Sequence, residues 1–302
     1  MKLFFLRIVT FLAIPLGILC IWFPYIYFVN NKASANYKVK ENVHLIIVGD
    51  SHAQHSIDDR LFPNSVNLSQ TAESLVFTFY KIKTVLNNNP SIKKVYLGLG
   101  YHSFSSYFDD IVNNHPAEIS SRYFLVLPYK EQKQILVKSG TDFPRVLMNV
   151  FSTGTKNLFR QKEAYYFMGG YVGATSEKPV TNESMDKRLN EVFYLDRKPR
   201  NFSIENVYYL EQIIELCKNE HVELILLNTP VHPYFKSKIP LKFVEKYNSI
   251  ISEKHLKVID FNNLVLTNSC FLPDGDHVSR EGSIITTNRL NETENDSPIR
   301  KD

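Results

Sequence analysis

The 302-residue chain is 44% hydrophobic and 22% charged, which excludes wholesale disorder and sets it among globular proteins. Its net charge of +4 comes from scattered residues such as Lys93-Lys94, without a basic stripe interleaved with aromatics, and this excludes nucleic acid as a partner. Three cysteines without a CxxC or Cys/His cluster exclude a structural zinc site; Cys217 and Cys270 are read as free thiols, with a disulfide between them after export as the alternative.

After a short segment 1–7, residues 8–29 carry no charge across 22 positions. A helix needs roughly 20 apolar residues to cross the hydrocarbon core of a bilayer, so this stretch can span it. Trp22, Tyr25 and Tyr27 lie near one end, where amphipathic rings favour the headgroup region. Ala33-Ser34-Ala35 satisfies the small-x-small rule of signal peptidase, yet the apolar stretch exceeds the roughly 7–15 residues of a signal peptide. A retained anchor is therefore favoured over cleavage after Ala35. Lys2 and Arg7 before the stretch nearly balance Lys32, Lys38 and Lys40 after it. Placement of the following domain outside the cytoplasm thus rests on the signal-anchor pattern.

Residues 30–42 read as a linker, and 43–48 as a buried parallel strand turning at Gly49-Asp50-Ser51 into a helix. Further strands are expected at 65–68, 95–99, 222–227 and 257–261. Helical patterns stand between them at Thr71–Leu86, at Ser203–Cys217 behind a serine N-cap, and at Leu241–Ile251 after Pro240. Strands alternating with helices predict a three-layer α/β domain with a mostly parallel sheet over 43–290. The gap from 104 to 202 is too long for a structureless loop and predicts an inserted subdomain, helical near 129–138 and 143–150. Its aromatic run Tyr165–Tyr171 is read as core. Residues 291–302 read as a frayed polar tail.

Two motifs carry chemistry. VGDSHA at 48–53 puts Ser51 beyond the carboxyl end of a strand, where open α/β sheets bind ligands. By itself that serine could equally be a helix N-cap. LPDGDHVSREGS at 272–283 supplies Asp274 and His277 in D-x-x-H spacing before a short last helix. A hydroxyl becomes a good nucleophile when an adjacent imidazole takes its proton, and a carboxylate behind the ring fixes its tautomer. Asp276 competes for that third role. His52 and His55 share a helix face and are read as surface histidines. His232, after the fourth strand, is a candidate substrate contact.

In this order (strand, GDS, helix, several α/β units, then D-x-x-H) the chain resembles the SGNH, or GDSL-like, hydrolase superfamily over 43–103 and 222–290. The resemblance implies a flavodoxin-like sheet and a triad of nucleophile Ser51, base His277 and orienting Asp274, working on esters without metal or cofactor. It implies an oxyanion hole from the N–H of Ser51 and two further positions. Ser69 stands at the usual glycine after the second strand, and His102 at the usual asparagine after the third. A histidine merely packed at the strand end is the alternative for His102.

Membrane-anchored members of this type add or remove acyl groups on surface polymers. The expected function is therefore O-acyl transfer or ester hydrolysis on a cell-surface polysaccharide, with an acyl donor as co-substrate and other envelope-modification proteins as partners. A lipase-like esterase and a non-catalytic scaffold or carbohydrate-binding protein are the alternatives.

Overall fold

The computed structural model describes residues 2–114, 122–159 and 166–296. Helix α1 (Lys2–Ala35) is followed by β1 (Leu45–Val48), α2 (Ser51–Ser56), β2 (Ser65–Asn67), α3 (Leu75–Asn88) and β3 (Lys94–Gly98). Then come α4 (Tyr107–Asn114), α5 (Tyr129–Lys138), α6 (Phe143–Phe159), α7 (Asn182–Phe193) and a small antiparallel pair, β4 (Tyr194–Leu195) with β5 (Lys198–Pro199). The chain closes with α8 (Ile204–Asn219), β6 (Glu223–Asn228), α9 (Pro233–Ser237), α10 (Leu241–Lys254), β7 (Lys257–Asp260) and α11 (Arg280–Asp296).

The chain divides into two compact units, Met1–Tyr37 with His115–Phe167, and Lys38–Asn114 with Met168–Asp302. The second is built on a five-stranded parallel sheet in the order β2-β1-β3-β6-β7. All five expected strands are present. Strand residues alternate between faces. Leu45, Ile47, Tyr96 and Leu227 pack with Ala53 and Ile57 around α2 and with Leu290 of α11. Ile46, Val48, Val95, Leu97 and Leu226 point the other way and are equally buried, and α8 packs there on β6 and against α3. Helices on both faces make the three-layer α/β arrangement. Because β2 and β3 flank β1 on opposite sides, the order reverses at β1, and a crevice opens beyond the carboxyl ends of β1 and β3.

Several boundaries differ from expectation. The helix expected from Thr71 begins at Leu75, because the backbone turns through a left-handed Ala72 (φ +57°). The last helix is 17 residues long rather than short and absorbs residues 291–296 of the expected tail; 297–302 lie outside the described residues. The 104–202 insertion is not one subdomain. Residues 168–202 belong to the sheet unit, and only 115–167 group with α1. Of the aromatic run, Phe167 and Met168 are buried, as core residues should be, whereas Tyr165 lies outside the described residues.

In the first unit, α1 contains one stretch, Val9–Ala35, long and apolar enough to cross a membrane. The helix also takes in Lys32 and the expected cleavage triple, so the first residues of the expected linker are helical. Ile26, Asn30 and Ser34 recur one turn apart and are buried. Gly154 of α6 permits this approach, since a Cβ there would lie 3.0 Å from Ile26 Cδ1. Polar contacts add to it: Asn30 Nδ2 donates to the Gly154 carbonyl, Asn157 to Asn30, and Trp22 Nε1 to Thr155 Oγ1 at 3.0 Å.

Candidate active site

Gly49 ends β1 with φ +140°, a conformation that L side chains rarely adopt, and a Cβ there would stand 2.9 Å from the Gly98 carbonyl oxygen. The chain can therefore turn sharply past β3. Asp50 follows as N-cap of α2, its carboxylate accepting the His52 backbone N–H at 2.9 Å. Ser51 becomes the first helical residue, at the crevice.

The loop ahead of α11 brings the base. Asp274 Oδ1 accepts the backbone N–H groups of Asp276 (3.1 Å) and His277 (3.2 Å), which folds the D-x-x-H turn around the carboxylate. Asp274 Oδ2 lies 2.8 Å from His277 Nδ1, and His277 Nε2 lies 2.8 Å from Ser51 Oγ. With Nδ1–H donated to Asp274, Nε2 keeps a lone pair for the serine proton. Burial opposes charge on Asp274, but the hydrogen bond from His277 holds its pKa below the usual carboxylate range. The three residues open on a cavity of about 730 Å³. Buried Phe108 and Val192 line part of it, and exposed Thr71, Ser176, Lys178 and Lys187 line another part.

Asp276, the competing carboxylate, belongs to a second network. Its Oδ1 meets His52 Nε2 and its Oδ2 meets Arg188 Nε, both at 2.9 Å. His52 is not a surface residue, as its sequence spacing suggested: it is 3% exposed. Its Nδ1 faces Asp50 at 3.2 Å, and its ring is stacked between those of His102 (3.6 Å) and His277 (4.5 Å). Burial by itself would lower the pKa of His52, but Asp276 and Asp50 outweigh it and push the value up to about 10. His52 is therefore an imidazolium at neutral pH. Burial likewise opposes charge on both carboxylates, and each is nevertheless held well below the usual range, Asp50 by His102 and His52, Asp276 by His52 and Arg188. His55 is only partly buried, and its Nδ1 meets the Val172 carbonyl at 2.8 Å.

This network corrects the expected oxyanion hole. His102 lines the cavity, but its Nε2 is 2.8 Å from Asp50 Oδ2. Burial and the neighbouring His52 cation lower its pKa, so the ring is neutral and has one N–H. An ionised Asp50 only accepts, so it takes that N–H and none is left for an oxyanion. Ser69 is also engaged: its N–H donates to Asn67 Oδ1 at 2.9 Å. Three residues later in the same turn, Ala72 lines the cavity in the left-handed conformation a glycine normally supplies. Among the described residues the N–H groups of Ser51 and Ala72 make no hydrogen bond. Both residues border the cavity, so each can offer a backbone donor there. A positive φ at an alanine has no sequence signature, which is why sequence reasoning passed it over.

His232 does not line the cavity. It caps α9, with Nδ1 accepting the Tyr234 N–H, Nε2 on Asn268 Oδ1, and its ring edge-on to Phe271. Cys217 and Cys270 are buried free thiols. Two donor groups, Asp50-His52-His102 and His52-Asp276-His277, have ligand atoms close enough together to surround a cation. Both include His52, whose nitrogens each face a carboxylate, and a doubly protonated ring has no lone pair for a metal.

No family model and no curated protein matches the chain. Solved structures that resemble it are distant. A candidate platelet activating factor from Streptococcus pneumonia aligns with TM-score 0.41 and 12% identity over 93% of this chain and 98% of its own. A GDSL-like lipase from Bacteroides thetaiotaomicron aligns with TM-score 0.41 and 10% identity over 90% and 98%. A candidate acylhydrolase from Bacteroides fragilis does so with TM-score 0.38 and 11% identity over 88% and 93%.

Proposed function

We propose that the chain is a serine-dependent acyl-ester enzyme of the SGNH type. It hydrolyses or transfers O-acyl groups on a cell-surface polysaccharide while α1 holds it to the membrane with the catalytic domain outside. The observation that carries this reading is the unbroken series Asp274–His277–Ser51 at the cavity. Ser51 Oγ attacks the acyl carbonyl as its proton passes to His277 Nε2, and the N–H groups of Ser51 and Ala72 stabilise the oxyanion. Collapse of the adduct breaks the ester bond, returns the proton to the departing alcohol and leaves acyl-Ser51. Water then completes hydrolysis, or a sugar hydroxyl completes transfer. The hydroxyl and ammonium groups of Thr71, Ser176, Lys178 and Lys187 suit a polar polymer better than a long acyl chain.

A fluorophosphonate should label Ser51, and labelling should vanish in His277→Ala. A native protein that stays unlabelled returns the chain to the non-catalytic scaffold reading. The two aspartates should separate cleanly. Asp274→Asn should fold normally and lose about 10⁴-fold in turnover, because the tautomer of His277 is no longer controlled. Asp276→Asn should instead lower the melting temperature, because it takes a charge from between His52 and Arg188. The reverse pattern would exchange their roles.

Retention of α1 is supported by the helical state of Ala33–Ala35 and the burial of Ser34, since a peptidase needs an accessible strand to cleave. Protease added to spheroplasts should digest the catalytic domain, while carbonate washing leaves α1 in the membrane fraction. Protection until lysis would place the domain in the cytoplasm.

A further inference from the structure

The unit containing α1 carries eleven Lys and Arg against four Asp and Glu, and the rest of the chain has 24 against 27. On α5, Tyr129, Lys130, Lys133 and Val137 recur at helical spacing and are exposed, while Glu131, Gln132 and Ile135 turn inward. On α6, the exposed stripe is Met148, Ser152, Lys156 and Phe159, opposite buried Val146, Val150 and Gly154. Neither exposed stripe contains a carboxylate. Among the described residues Lys130, Lys133 and Lys156 form no ion pair. Four large side chains in these stripes remain open to solvent: Tyr129 at 74%, Val137 at 71%, Met148 at 72% and Phe159 at 77%.

Apolar side chains interleaved with lysines fit a bilayer interface, where the one group enters the acyl boundary and the other meets headgroup phosphate. The position of α6 points the same way. It packs on the second half of α1, with Trp22 bonded to Thr155, whereas Leu16, Ile18, Leu19 and Ile21 earlier in α1 are exposed. Trp22 is the kind of residue that favours the headgroup level, and α6 meets α1 from Trp22 onward.

We propose that the exposed stripes of α5 and α6 dock on anionic phospholipids surrounding α1, with Lys130, Lys133 and Lys156 against the phosphates and Met148 and Phe159 in the interface. This surface lies outside the acyl chemistry and rests on α1 being a membrane span. Trp22 is the chain's one tryptophan, so its fluorescence reports from this place alone. The full chain should be reconstituted in phosphatidylcholine vesicles containing an equal mole fraction of either brominated phosphatidylglycerol or brominated phosphatidylcholine. The anionic lipid should quench Trp22 about twofold more strongly, and the triple variant Lys130→Gln, Lys133→Gln, Lys156→Gln should bring the ratio to about one. Molar salt should do the same to the native chain, since it screens the attraction, and this arm stands if the variant does not fold. Equal quenching in the native chain overturns the docking, as does a preference that survives the substitutions or the salt. Quenching by neither lipid removes the span itself, and the docking with it.

Discussion

Ser51→Ala should lower turnover of an acetyl ester by about 10⁴–10⁶-fold with the melting curve unchanged. The size of the loss follows from the geometry: Ser51 Oγ is the atom that His277 Nε2 faces at 2.8 Å, and among the described residues no other hydroxyl is bonded to that nitrogen. The neutrality toward folding follows from the exposure of the site. His277 Nε2 borders the cavity, where water can replace the lost partner, so no buried polar group is orphaned. His277→Ala should cost about as much. The double variant should be little worse than either, because a nucleophile and its base act as one unit. Steady-state rates on p-nitrophenyl acetate beside a thermal melt decide the matter; native-like hydrolysis by Ser51→Ala would remove the serine mechanism altogether.

The largest stability effect should come from a residue outside the Ser51–His277–Asp274 series. His52→Ala takes the imidazolium from between Asp50 and Asp276 and leaves two carboxylates buried with less compensation. Removing one partner from a buried ion pair costs about 3–5 kcal/mol. In a domain of this size that corresponds to a melting temperature lower by about 10 °C. The pH dependence carries a second signature. His52 titrates at about 10 when folded, against 6.5 ordinarily. Its stabilisation is therefore complete below the ordinary value and is lost as pH rises through the folded one. Asp50 and Asp276, held well below 3.8, contribute stability above that value and lose it on acidification. The contribution of these three groups should thus be greatest between roughly pH 4 and 6.5 and decline toward 10, and His52→Ala should flatten the alkaline limb. Denaturant titrations across that range test this; an alkaline limb of equal slope in both proteins would mean that His52 is neutral in the native state.

What the sequence determined is what local chemistry encodes. The runs at 43–48 and 222–227 read as buried parallel strands, because short apolar runs without alternation suit a sheet covered on both faces. Asp274 and His277 lie in one turn, where the carboxylate accepts the N–H groups of residues two and three ahead, so their partnership is written in their spacing. Ser51 follows from the same logic, as the residue that begins a helix immediately after a strand. The tertiary structure decided everything that depends on distant segments meeting. His52 and Asp276 are separated by 224 positions, and no spacing rule joins them; the crevice at β1 does, by drawing α2 and the loop before α11 together. That meeting turned His52 from an expected surface residue into a buried cation. It also left His102 facing Asp50, so that the histidine expected to donate to an oxyanion has no proton to give. We propose Ala72 in its place, through a backbone angle imposed by the turn between β2 and α3. Burial and partner choice are properties of the assembled fold, and a chain read one window at a time contains neither.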